Sequence, residues 1–284
     1  MTILVTGATG NVGRRVVEEL IKAGRPVRAL TRNPSAATLP PEVRVVEGDL
    51  ADPGTLRPAF EDVDRLFLFP VPETAEEVAA LARRAGIEHV VVLSSAAVTA
   101  GYDTEFHLPV ERAVERANLA YTHVRPGEFA LNRLYLWGPG IRSEGRVVDP
   151  LPDVADIPTH EWDIADVATA ALLEDGHAGK SYTFAGPAEL THREQVAAIS
   201  AAIGREIRID ACTPEEAGEY YRRQGGWAAA NADYLVGLAD YSGTEAAPDW
   251  EETEAPELAT AQEFTGRPGR TFAAWAHDHR DDFR

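Results

Sequence analysis

Three glycines near the start of the chain have the spacing needed to bind a pyrophosphate. Gly7, Gly10 and Gly13 follow the apolar run Ile-Leu-Val and open a stretch with helical apolar spacing. A strand that turns tightly beneath phosphates needs glycine for the turn, for close backbone approach and for close helix packing. The helix N-terminus then offers unpaired N–H groups and the positive end of its dipole to an anion. The spacing therefore predicts a dinucleotide-binding turn, with a glycine-rich turn that binds no ligand as the alternative. The other predicted contacts of the turn are Thr9, Asn11 and Val12.

The second predicted strand ends in a basic residue instead of an acidic one. Arg32 stands at this strand end, and no Asp or Glu occurs between Glu19 and Glu42. A protein that prefers NAD usually places a carboxylate here for the ribose 2′-hydroxyl, whereas an Arg suits the 2′-phosphate of NADP. The absence of acidic residues between Glu19 and Glu42, together with Arg32, therefore favours NADP(H). A solvated loop charge is the alternative for Arg32.

The elements that must position these residues alternate between strand and helix. Strands are predicted at residues 3–5, 26–31, 43–47, 65–69, 89–93 and 121–125, and a further strand at 181–185 is predicted to rejoin the sheet. Helical segments follow the first, third, fourth and fifth strands. This alternation indicates right-handed βαβ units and a doubly wound parallel sheet, the Rossmann arrangement of the α/β class. Residues 137–159 hold four prolines and little periodicity, which predicts irregular structure.

Strand ends supply further predicted contacts, because ligands of open α/β sheets lie across the carboxyl ends of the strands. Asp49 follows the third strand and is predicted to accept a hydrogen bond from an adenine amino group, or else to be a turn or capping carboxylate. Ser94 ends the fifth strand on the expected nicotinamide side, although serines at strand ends often bond local backbone. The remaining predicted contacts are Leu50, Phe69 and Pro70.

The glycine turn also carries a family resemblance. The segment Thr-Gly-Ala-Thr-Gly-Asn-Val-Gly resembles the cofactor loop of the NmrA-like atypical short-chain dehydrogenases, and later segments extend the similarity over nearly the whole chain. The resemblance implies that Arg32, in the turn Thr-Arg-Asn-Pro, binds the 2′-phosphate, and that Pro126, Gly127 and Phe129 lie at the nicotinamide end. It also implies an NADP-binding domain of residues 1–134 and 160–186. A smaller α+β substrate-binding cap is then expected from residues 135–159 and 187–284.

The acid–base pair that is usual in short-chain dehydrogenases is absent from this sequence. That pair is Tyr-x-x-x-Lys on the helix after the fifth strand, where the Lys lowers the pKa of the Tyr. The chain has two lysines, Lys22 and Lys180, and neither has a tyrosine four residues before it. Any acid–base chemistry must therefore use other residues.

His107 takes the usual Lys position when the chain is aligned with the family, with Asp103 at the usual Tyr position and Tyr102 beside it. An unperturbed imidazole titrates near about 6.5 and can exchange a proton at neutral pH. His107 is accordingly predicted to be an acid–base catalyst, a hydrogen-bonding partner of the nicotinamide ribose or amide, or a partly exposed residue at a helix start. The predicted catalytic set is His107, Tyr102 and Ser94.

Aromatic residues are concentrated in the segments expected to cover the nicotinamide. Large rings with few polar groups suit a flat, apolar substrate, whereas packing in an ordinary core is the alternative for each ring. The predicted substrate contacts are Phe129, Asn132, Trp137, Tyr221 and Trp227.

Composition excludes several other classes of protein. The formal net charge of −19 argues against nucleic acid, because such binding depends on Lys and Arg neutralising phosphates. Cys212 is the only cysteine, and neither a His-Glu-x-x-His zinc spacing nor a Gly-x-Ser-x-Gly elbow occurs. No apolar run approaches the roughly 18 residues of a membrane helix, and the first strand begins too early for a signal peptide, which predicts a cytoplasmic protein. The acidic segment 249–254 is predicted to be a solvated loop.

These features predict an NADP(H)-dependent reductase of a small carbonyl, quinone-like or unsaturated compound. The protein is expected to be a monomer or homodimer without nucleic acid, membrane or metal. Scarce lysine is typical of GC-rich bacteria, where such proteins often serve secondary metabolism. The resemblance to NmrA implies an alternative, a catalytically silent NADP(H) sensor. A non-redox isomerase or cyclase on the same fold is a further alternative.

Overall fold

The computed structural model describes residues 1–236 and 258–284, so the acidic segment 249–254 lies outside the described residues. The chain divides into two compact units. Unit 1 comprises Met1–Pro126, Glu161–Phe184 and Ala261–Arg267, and unit 2 comprises Gly127–His160, Ala185–Thr260 and Pro268–Arg284. The first boundary follows Pro126 instead of residue 134, because the sixth strand ends there.

Every strand that the sequence predicts for the main sheet is present. In chain order the strands are β1 (Ile3–Val5), β2 (Val27–Thr31), β3 (Arg44–Glu47), β4 (Arg65–Leu68), β5 (His89–Leu93), β6 (Ala120–Pro126), β7 (Arg146–Asp149), β8 (Ala155–Asp156), β9 (Lys180–Ala185), β10 (Leu190–Thr191), β11 (Arg208–Ala211) and β12 (Ala259–Thr260).

Helices separate most of these strands. In chain order they are α1 (Asn11–Lys22), α2 (Arg57–Phe60), α3 (Ala75–Ala85), α4 (Ala96–Thr99), α5 (His107–Arg116), α6 (Asn132–Glu144), α7 (Glu161–Leu173), α8 (His192–Ile203), α9 (Pro214–Gln224), α10 (Gly226–Ala230), α11 (Ala232–Leu235), α12 (Ala261–Thr265) and α13 (Phe272–Asp278). Short 3-10 turns lie at Pro34–Ala36, Pro53–Thr55, Pro72–Thr74 and Arg280–Phe283. None of the helices within residues 1–236 and 258–284 has both the length and the apolar character needed to cross a membrane.

The main sheet has eight strands in the order β12-β9-β6-β5-β4-β1-β2-β3. All pairings from β9 through β3 are parallel, and Val5 of β1 lies opposite both Ala29 of β2 and Phe67 of β4. The strand order therefore reverses at β1, and this reversal creates a crevice outside the carboxyl end of that strand. The prediction of a doubly wound parallel sheet is confirmed, and the glycine turn lies at the switch point.

Helices cover the central strands of unit 1. β5 is buried along its whole length, as expected for a strand covered on both faces. On α1, Val16 and Leu20 are fully buried, and each such side chain contributes about 1.5–3 kcal/mol. α7 packs against α1, with the Arg15 guanidinium 4.2 Å from the centroid of the Trp162 ring. These contacts fix the helix whose N-terminus follows the glycine turn.

Unit 2 has its own hydrophobic core, to which α6, α8, α9 and α13 all contribute buried side chains. Two small sheets accompany these helices: β7 pairs with β11 in parallel, and β8 pairs with β10 in antiparallel orientation. Unit 2 is therefore a smaller α+β part.

Residues 137–159 are more regular than the sequence predicts. Helix α6 continues through Pro139 to Glu144, although an internal proline costs a helix about 3 kcal/mol. Trp137 and Ile141 flank this proline and are buried in the core of unit 2. Packing of the flanking side chains therefore outweighs the local preference of proline.

Candidate nucleotide site and catalytic centre

The glycine turn is built so tightly that larger residues do not fit. Gly7 has φ +60°, in the left-handed region that favours glycine. A Cβ on Gly13 would lie 2.2 Å from the Gly7 carbonyl oxygen, closer than any real contact. The Gly10 amide donates a hydrogen bond to that same oxygen at 2.9 Å. The turn therefore brings bare backbone to the crevice outside β1.

The N-terminus of α1 opens directly from this turn. Gly10 occupies the N-cap position, so no capping side chain competes for the first amides of the helix. The Phe69 ring lies beside the turn and is 43% exposed, although its backbone is fixed. The Phe69 amide donates to Thr6 Oγ1 at 2.7 Å, and Thr6 Oγ1 donates to the Phe67 carbonyl at 2.9 Å. Thr6 thus joins the ends of β1 and β4, a role that no motif in the sequence indicates.

Arg32 lies immediately beyond β2 with an exposed side chain. Within residues 1–236 and 258–284 its guanidinium forms no hydrogen bond or ion pair. The turn that follows is stabilised internally, since Ser35 Oγ donates to Asn33 Oδ1 at 2.7 Å and the Asn33 amide donates to Thr31 Oγ1 at 3.3 Å. Arg32 is therefore a cation held at the end of β2 with its donors available.

Asp49 and Leu50 follow β3. Oδ1 of Asp49 accepts a hydrogen bond from the Ala51 amide at 3.0 Å, which is a local turn interaction. Its Oδ2 has no hydrogen-bond partner in the described part of the chain. Leu50 is buried, and its carbonyl accepts a hydrogen bond from Thr74 Oγ1 at 2.7 Å. Asp49 thus serves the turn and retains one carboxylate oxygen for a ligand.

A buried polar network lies at the ends of β5 and β6. The Ser94 hydroxyl donates to Glu111 Oε1 at 2.5 Å, and Arg125 donates to both carboxylate oxygens, at 2.8 and 2.5 Å. Burial favours the neutral carboxyl, but the hydrogen bonds from Arg125 and Ser94 outweigh it, so the pKa of Glu111 is lowered. Arg125 also donates to Thr99 Oγ1 at 3.2 Å, and Thr99 Oγ1 lies 2.6 Å from Thr183 Oγ1. Ser94, only 1% exposed, is therefore committed to Glu111.

His107 is the first residue of α5 and contacts a carboxylate. Its Nδ1 is hydrogen-bonded to Oδ2 of Asp103, whose side chain is fully buried. The His107 side chain itself is 14% exposed. Tyr102 precedes this pair and is 56% exposed. The spacing of four residues is compatible with a contact between His107 and Asp103. The spacing does not indicate which ring nitrogen faces the carboxylate, nor that the carboxylate is buried.

Two other histidines of unit 1 are structural. Burial, with a contribution from the Arg65 cation, lowers the pKa of His89 to about 4, and His89 Nε2 lies 2.9 Å from Thr122 Oγ1. Burial also lowers the pKa of His123, which stacks on Tyr121 with ring centroids 4.5 Å apart. These side chains stabilise the sheet interior.

Unit 2 contains the predicted substrate residues from Phe129 onward. Trp137 and Tyr221 are 1% and 2% exposed, so their rings form part of the core of unit 2 instead of lining an open surface. The Tyr221 hydroxyl donates to the Val148 carbonyl at 2.6 Å. Asn132 Nδ2 donates to Glu128 Oε1 at 3.1 Å. Composition alone could not separate core rings from exposed ones.

A surface depression of about 400 Å³ in unit 2 contains Trp227. The rings of Tyr135 and Trp227 lie 5.9 Å apart in this depression and are 40% and 37% exposed. Phe129 is half-buried, and its backbone pairs with Thr159 in an isolated bridge. Gly127 begins the unit, directly after Pro126 at the end of β6.

Comparison with known proteins identifies the family. Residues 7–175 match the family model described as NAD(P)H-binding. The chain belongs to this NAD(P)H-binding family. A (4-alkanoyl-5-oxo-2,5-dihydrofuran-3-yl)methyl phosphate reductase from Streptomyces griseus is 38% identical to this chain over 289 residues, covering 99% of both chains. An NAD(P)H azoreductase from Xenophilus azovorans is 33% identical over 304 residues, again covering 99% of both.

Solved structures agree with this assignment at the level of the fold. The triphenylmethane reductase of Citrobacter sp., solved with NADP(H), has a TM-score of 0.78 at 22% identity and covers 99% of this chain and 100% of its own. NmrA, a negative transcriptional regulator solved with NADP, has a TM-score of 0.70 at 20% identity, over 98% of this chain and 94% of its own. The predicted resemblance to NmrA-like atypical short-chain dehydrogenases is confirmed.

Proposed function

We propose that this protein is an NADPH-dependent reductase of a small, flat carbonyl, quinone-like or unsaturated compound. The observation that carries the proposal is the glycine turn, in which Gly13 has no room for a Cβ and from which the uncapped N-terminus of α1 opens. The full-length relatives named above are reductases, which supports reduction as the reaction class. The proposal includes action in the cytoplasm as a monomer or homodimer on a small molecule, without nucleic acid.

The residues at the carboxyl ends of the strands fit a dinucleotide. Backbone amides of the glycine turn and of α1 are proposed to hold the pyrophosphate. The available guanidinium of Arg32 is proposed to bind the 2′-phosphate, since an Arg–phosphate pair is a strong charge-assisted contact. The adenosine is assigned to Asp49 and Phe69, and the nicotinamide end to the segment that begins at Pro126. Further residues proposed to line the dinucleotide site are Thr9, Asn11, Val12, Leu50, Pro70, Gly127 and Phe129.

When bound, NADPH supplies a hydride to the substrate. His107 is proposed to deliver the proton that neutralises the resulting negative charge, from Nε2, which has no hydrogen-bond partner among residues 1–236 and 258–284. Hydrogen bonding of His107 to the nicotinamide ribose or amide is the competing role. Tyr102 is proposed to supply a nearby hydroxyl. Ser94 is proposed to act indirectly, because its hydroxyl anchors Glu111 at the end of β5.

Aromatic side chains of unit 2 favour a flat substrate. Trp227 and Phe129 are proposed to contact it directly, with Asn132 as a polar partner. Trp137 and Tyr221 are proposed to shape the site from within the core. By its name, one relative reduces a (4-alkanoyl-5-oxo-2,5-dihydrofuran-3-yl)methyl phosphate, which has carbonyl groups on an unsaturated ring and also a phosphate group. The other relative is named an azoreductase. A conjugated, electron-poor acceptor of hydride is therefore the proposed substrate class.

The fold shared with NmrA and the missing Tyr-x-x-x-Lys pair favour one alternative, a catalytically silent NADP(H) sensor. A sensor requires a partner whose affinity differs between the NADP⁺ and NADPH forms, because a ligand shifts an equilibrium only through differential affinity. A non-redox isomerase or cyclase is a further alternative, and it would convert substrate without net consumption of NADPH.

The decisive experiment mixes the purified full-length protein with NADPH and a panel of acceptors. Menadione, an azo dye and an alkanoyl butenolide represent the proposed substrate class, and a charged sugar serves as the negative control. We expect NADPH absorbance to fall with at least one conjugated acceptor. Tight NADPH binding with no turnover of any acceptor contradicts the reductase and leaves the sensor. Conversion of an acceptor with NADPH unchanged indicates the isomerase or cyclase.

A further inference from the structure

A buried carboxylate lies directly behind His107. Asp103 is 1% exposed and precedes α5. Its Oδ1 accepts hydrogen bonds from the backbone amides of Phe106 at 2.9 Å and His107 at 3.1 Å. Its Oδ2 accepts from the His107 amide at 3.2 Å and contacts Nδ1 of the His107 ring. Two backbone amides and one ring nitrogen therefore converge on a single carboxylate, at the positive end of a helix dipole.

This arrangement assigns the hydrogen on the His107 ring. An ionised carboxylate can only accept hydrogen bonds, so Nδ1 is the nitrogen that carries hydrogen. The Phe106 ring packs edge-on against the imidazole, with centroids 4.8 Å apart, and this contact restricts rotation of the ring. Nε2 has no hydrogen-bond partner in the described part of the chain. Nε2 is therefore the nitrogen available to a ligand.

We propose that Asp103 is a positioning residue, which holds His107 with Nδ1 protonated and with Nε2 free to contact a ligand. This inference rests on the proposed function, in which His107 is the proton donor. A carboxylate behind an imidazole fixes its orientation and its tautomer, and the imidazolium is the form that can give up a proton.

The reduction consumes one NADPH and one proton from the solvent. NADPH supplies the hydride with its electron pair, so the substrate is reduced and the cofactor is oxidised to NADP⁺. The Nε2–H bond of the imidazolium breaks as the proton passes to the substrate atom that gained negative charge. His107 is left neutral with its Nδ1–H still bonded to Asp103, and it then takes up one proton (H⁺) from the buffered solvent.

The first test measures the tautomer and does not depend on turnover. Nitrogen–proton correlation NMR of the histidine rings is compared for wild type, Asp103→Asn and Glu105→Gln, with His107→Phe used to assign the His107 signals. Glu105 is the matched control, because it is a carboxylate in the same turn but is exposed. We expect neutral His107 to be the Nδ1–H form in wild type and in Glu105→Gln. In Asp103→Asn the amide can donate to Nδ1, so we expect the Nε2–H form to appear.

The second test measures turnover with NADPH and an accepted substrate. We expect Asp103→Asn to lower kcat by roughly a hundred- to ten-thousandfold, as for loss of general acid catalysis. KM and NADPH affinity should stay at the wild-type level, and Asp103→Glu should recover part of kcat. A purely structural role would lower both affinity and the folded fraction, which circular dichroism monitors.

Two outcomes overturn the inference. The first is a His107 tautomer that does not respond to Asp103→Asn, which shows that the carboxylate does not set the ring. The second is a changed His107 tautomer in Asp103→Asn with unchanged kcat, which shows that the tautomer of His107 does not affect turnover. If wild type reduces no acceptor, the proposed function itself fails, and the NMR comparison still decides whether Asp103 orients the ring.

Discussion

Arg125, at the end of β6, donates two hydrogen bonds to the Glu111 carboxylate on α5, from Nε to Oε1 at 2.8 Å and from Nη2 to Oε2 at 2.5 Å. The Glu111 side chain is 1% exposed and that of Arg125 is 18% exposed. The two hydrogen bonds offset part of the cost of burying the two charges, and loss of either partner would leave the other charge buried and unpaired. The pair joins helix to sheet beside the predicted nicotinamide position.

Removal of one partner is predicted to be strongly destabilising. Arg125→Met leaves the Glu111 carboxylate buried without its cation, and we expect the free energy of unfolding to fall by about 3–5 kcal/mol. Arg116→Met is the matched control, because Arg116 pairs with Glu76 at 2.7 Å on the surface, and its loss should cost no more than about 1 kcal/mol. Urea unfolding measures both. Equal losses for the two variants would show that burial of the pair is unimportant.

Gly13→Ala is predicted to abolish NADPH binding. The new Cβ would lie 2.2 Å from the Gly7 carbonyl oxygen, so the turn must move and take its amides out of register with the phosphates. We expect a loss of affinity of about a hundredfold or more, as for displaced charge-assisted contacts. Gly218→Ala on α9 is the control, since the nearest atom to its Cβ is 3.5 Å away on a flexible Arg222 side chain. Fluorescence titration with NADPH distinguishes the two, and normal binding by Gly13→Ala contradicts the site.

Arg32→Ala is predicted to reduce the preference for NADPH over NADH. An Arg–phosphate contact contributes roughly 1.5–3 kcal/mol, so the ratio of the two affinities should fall by about ten- to a hundredfold. Arg25→Ala is the control, because this exposed residue precedes β2 at the opposite end of the strand. Calorimetry with both nucleotides gives the ratio. Equal binding of NADH and NADPH by wild type would remove Arg32 from this role.

His107→Phe is predicted to identify the proton donor of the proposed reductase. If His107 supplies the proton, its loss should lower kcat by roughly a hundred- to ten-thousandfold while NADPH affinity changes little. Stopped-flow measurement of NADPH consumption tests the first part, and titration tests the second. Turnover that survives in His107→Phe points to protonation by solvent. Loss of NADPH affinity instead of kcat points to a hydrogen bond with the ribose or the amide.

Stability at alkaline pH is predicted to depend on His192 in unit 2. Its ring lies 2.8 Å from Asp149 Oδ2 and 3.3 Å from Asp156 Oδ2. Burial and the nearby Arg133 cation favour the neutral ring, but the hydrogen bonds to the two carboxylates outweigh them and raise the pKa of His192 to about 9. Because this pKa exceeds that of the unfolded chain, the stabilisation is complete below about pH 6.5 and is lost as pH rises through about 9.

The loss on raising the pH from below 6.5 to well above 9 is expected to be at most about 3–4 kcal/mol, from about 1.4 kcal/mol per unit of pKa shift. Urea unfolding at several pH values should show this decline in wild type and a flatter profile in His192→Gln. His277→Gln is the control, because the His277 side chain is 68% exposed. If His192→Gln lost stability at alkaline pH as wild type does, the pH dependence would belong to another titrating group.

Local signals in the sequence were sufficient for the sheet and the glycine turn. Gly7 and Gly13 are constrained by backbone conformation and by close contact, and both constraints are visible in spacing alone. The hydrogen bonds of Glu111 with Ser94 and Arg125 could not be predicted, because these partners are 17 and 14 residues away along the chain. The order of the strands brings these three residues together, and that order emerges only in the folded sheet.

Side-chain burial was the other limit of prediction. Trp137 and Tyr221 have the composition of a substrate pocket and also that of a core, and the structure places them in the core of unit 2. Pro139 lies inside a helix because packing on both sides overrides its local preference. Asp103 was aligned with a family position, yet its contact with His107 depends on how the turn before α5 folds.

β9 comes late in the chain, so during synthesis β6 is made well before the strand that pairs with it. β9 pairs with β6, but it begins at Lys180, after the chain has left unit 1 at Pro126 and returned at Glu161. Until the ribosome has passed Ala185, the nascent β6 offers an unpaired edge, which is a template for association with other strands. A fragment that stops at Pro126 keeps the glycine turn but leaves this edge permanently open. Residues 1–126 alone therefore lack the strand that covers the edge of β6 in the complete sheet.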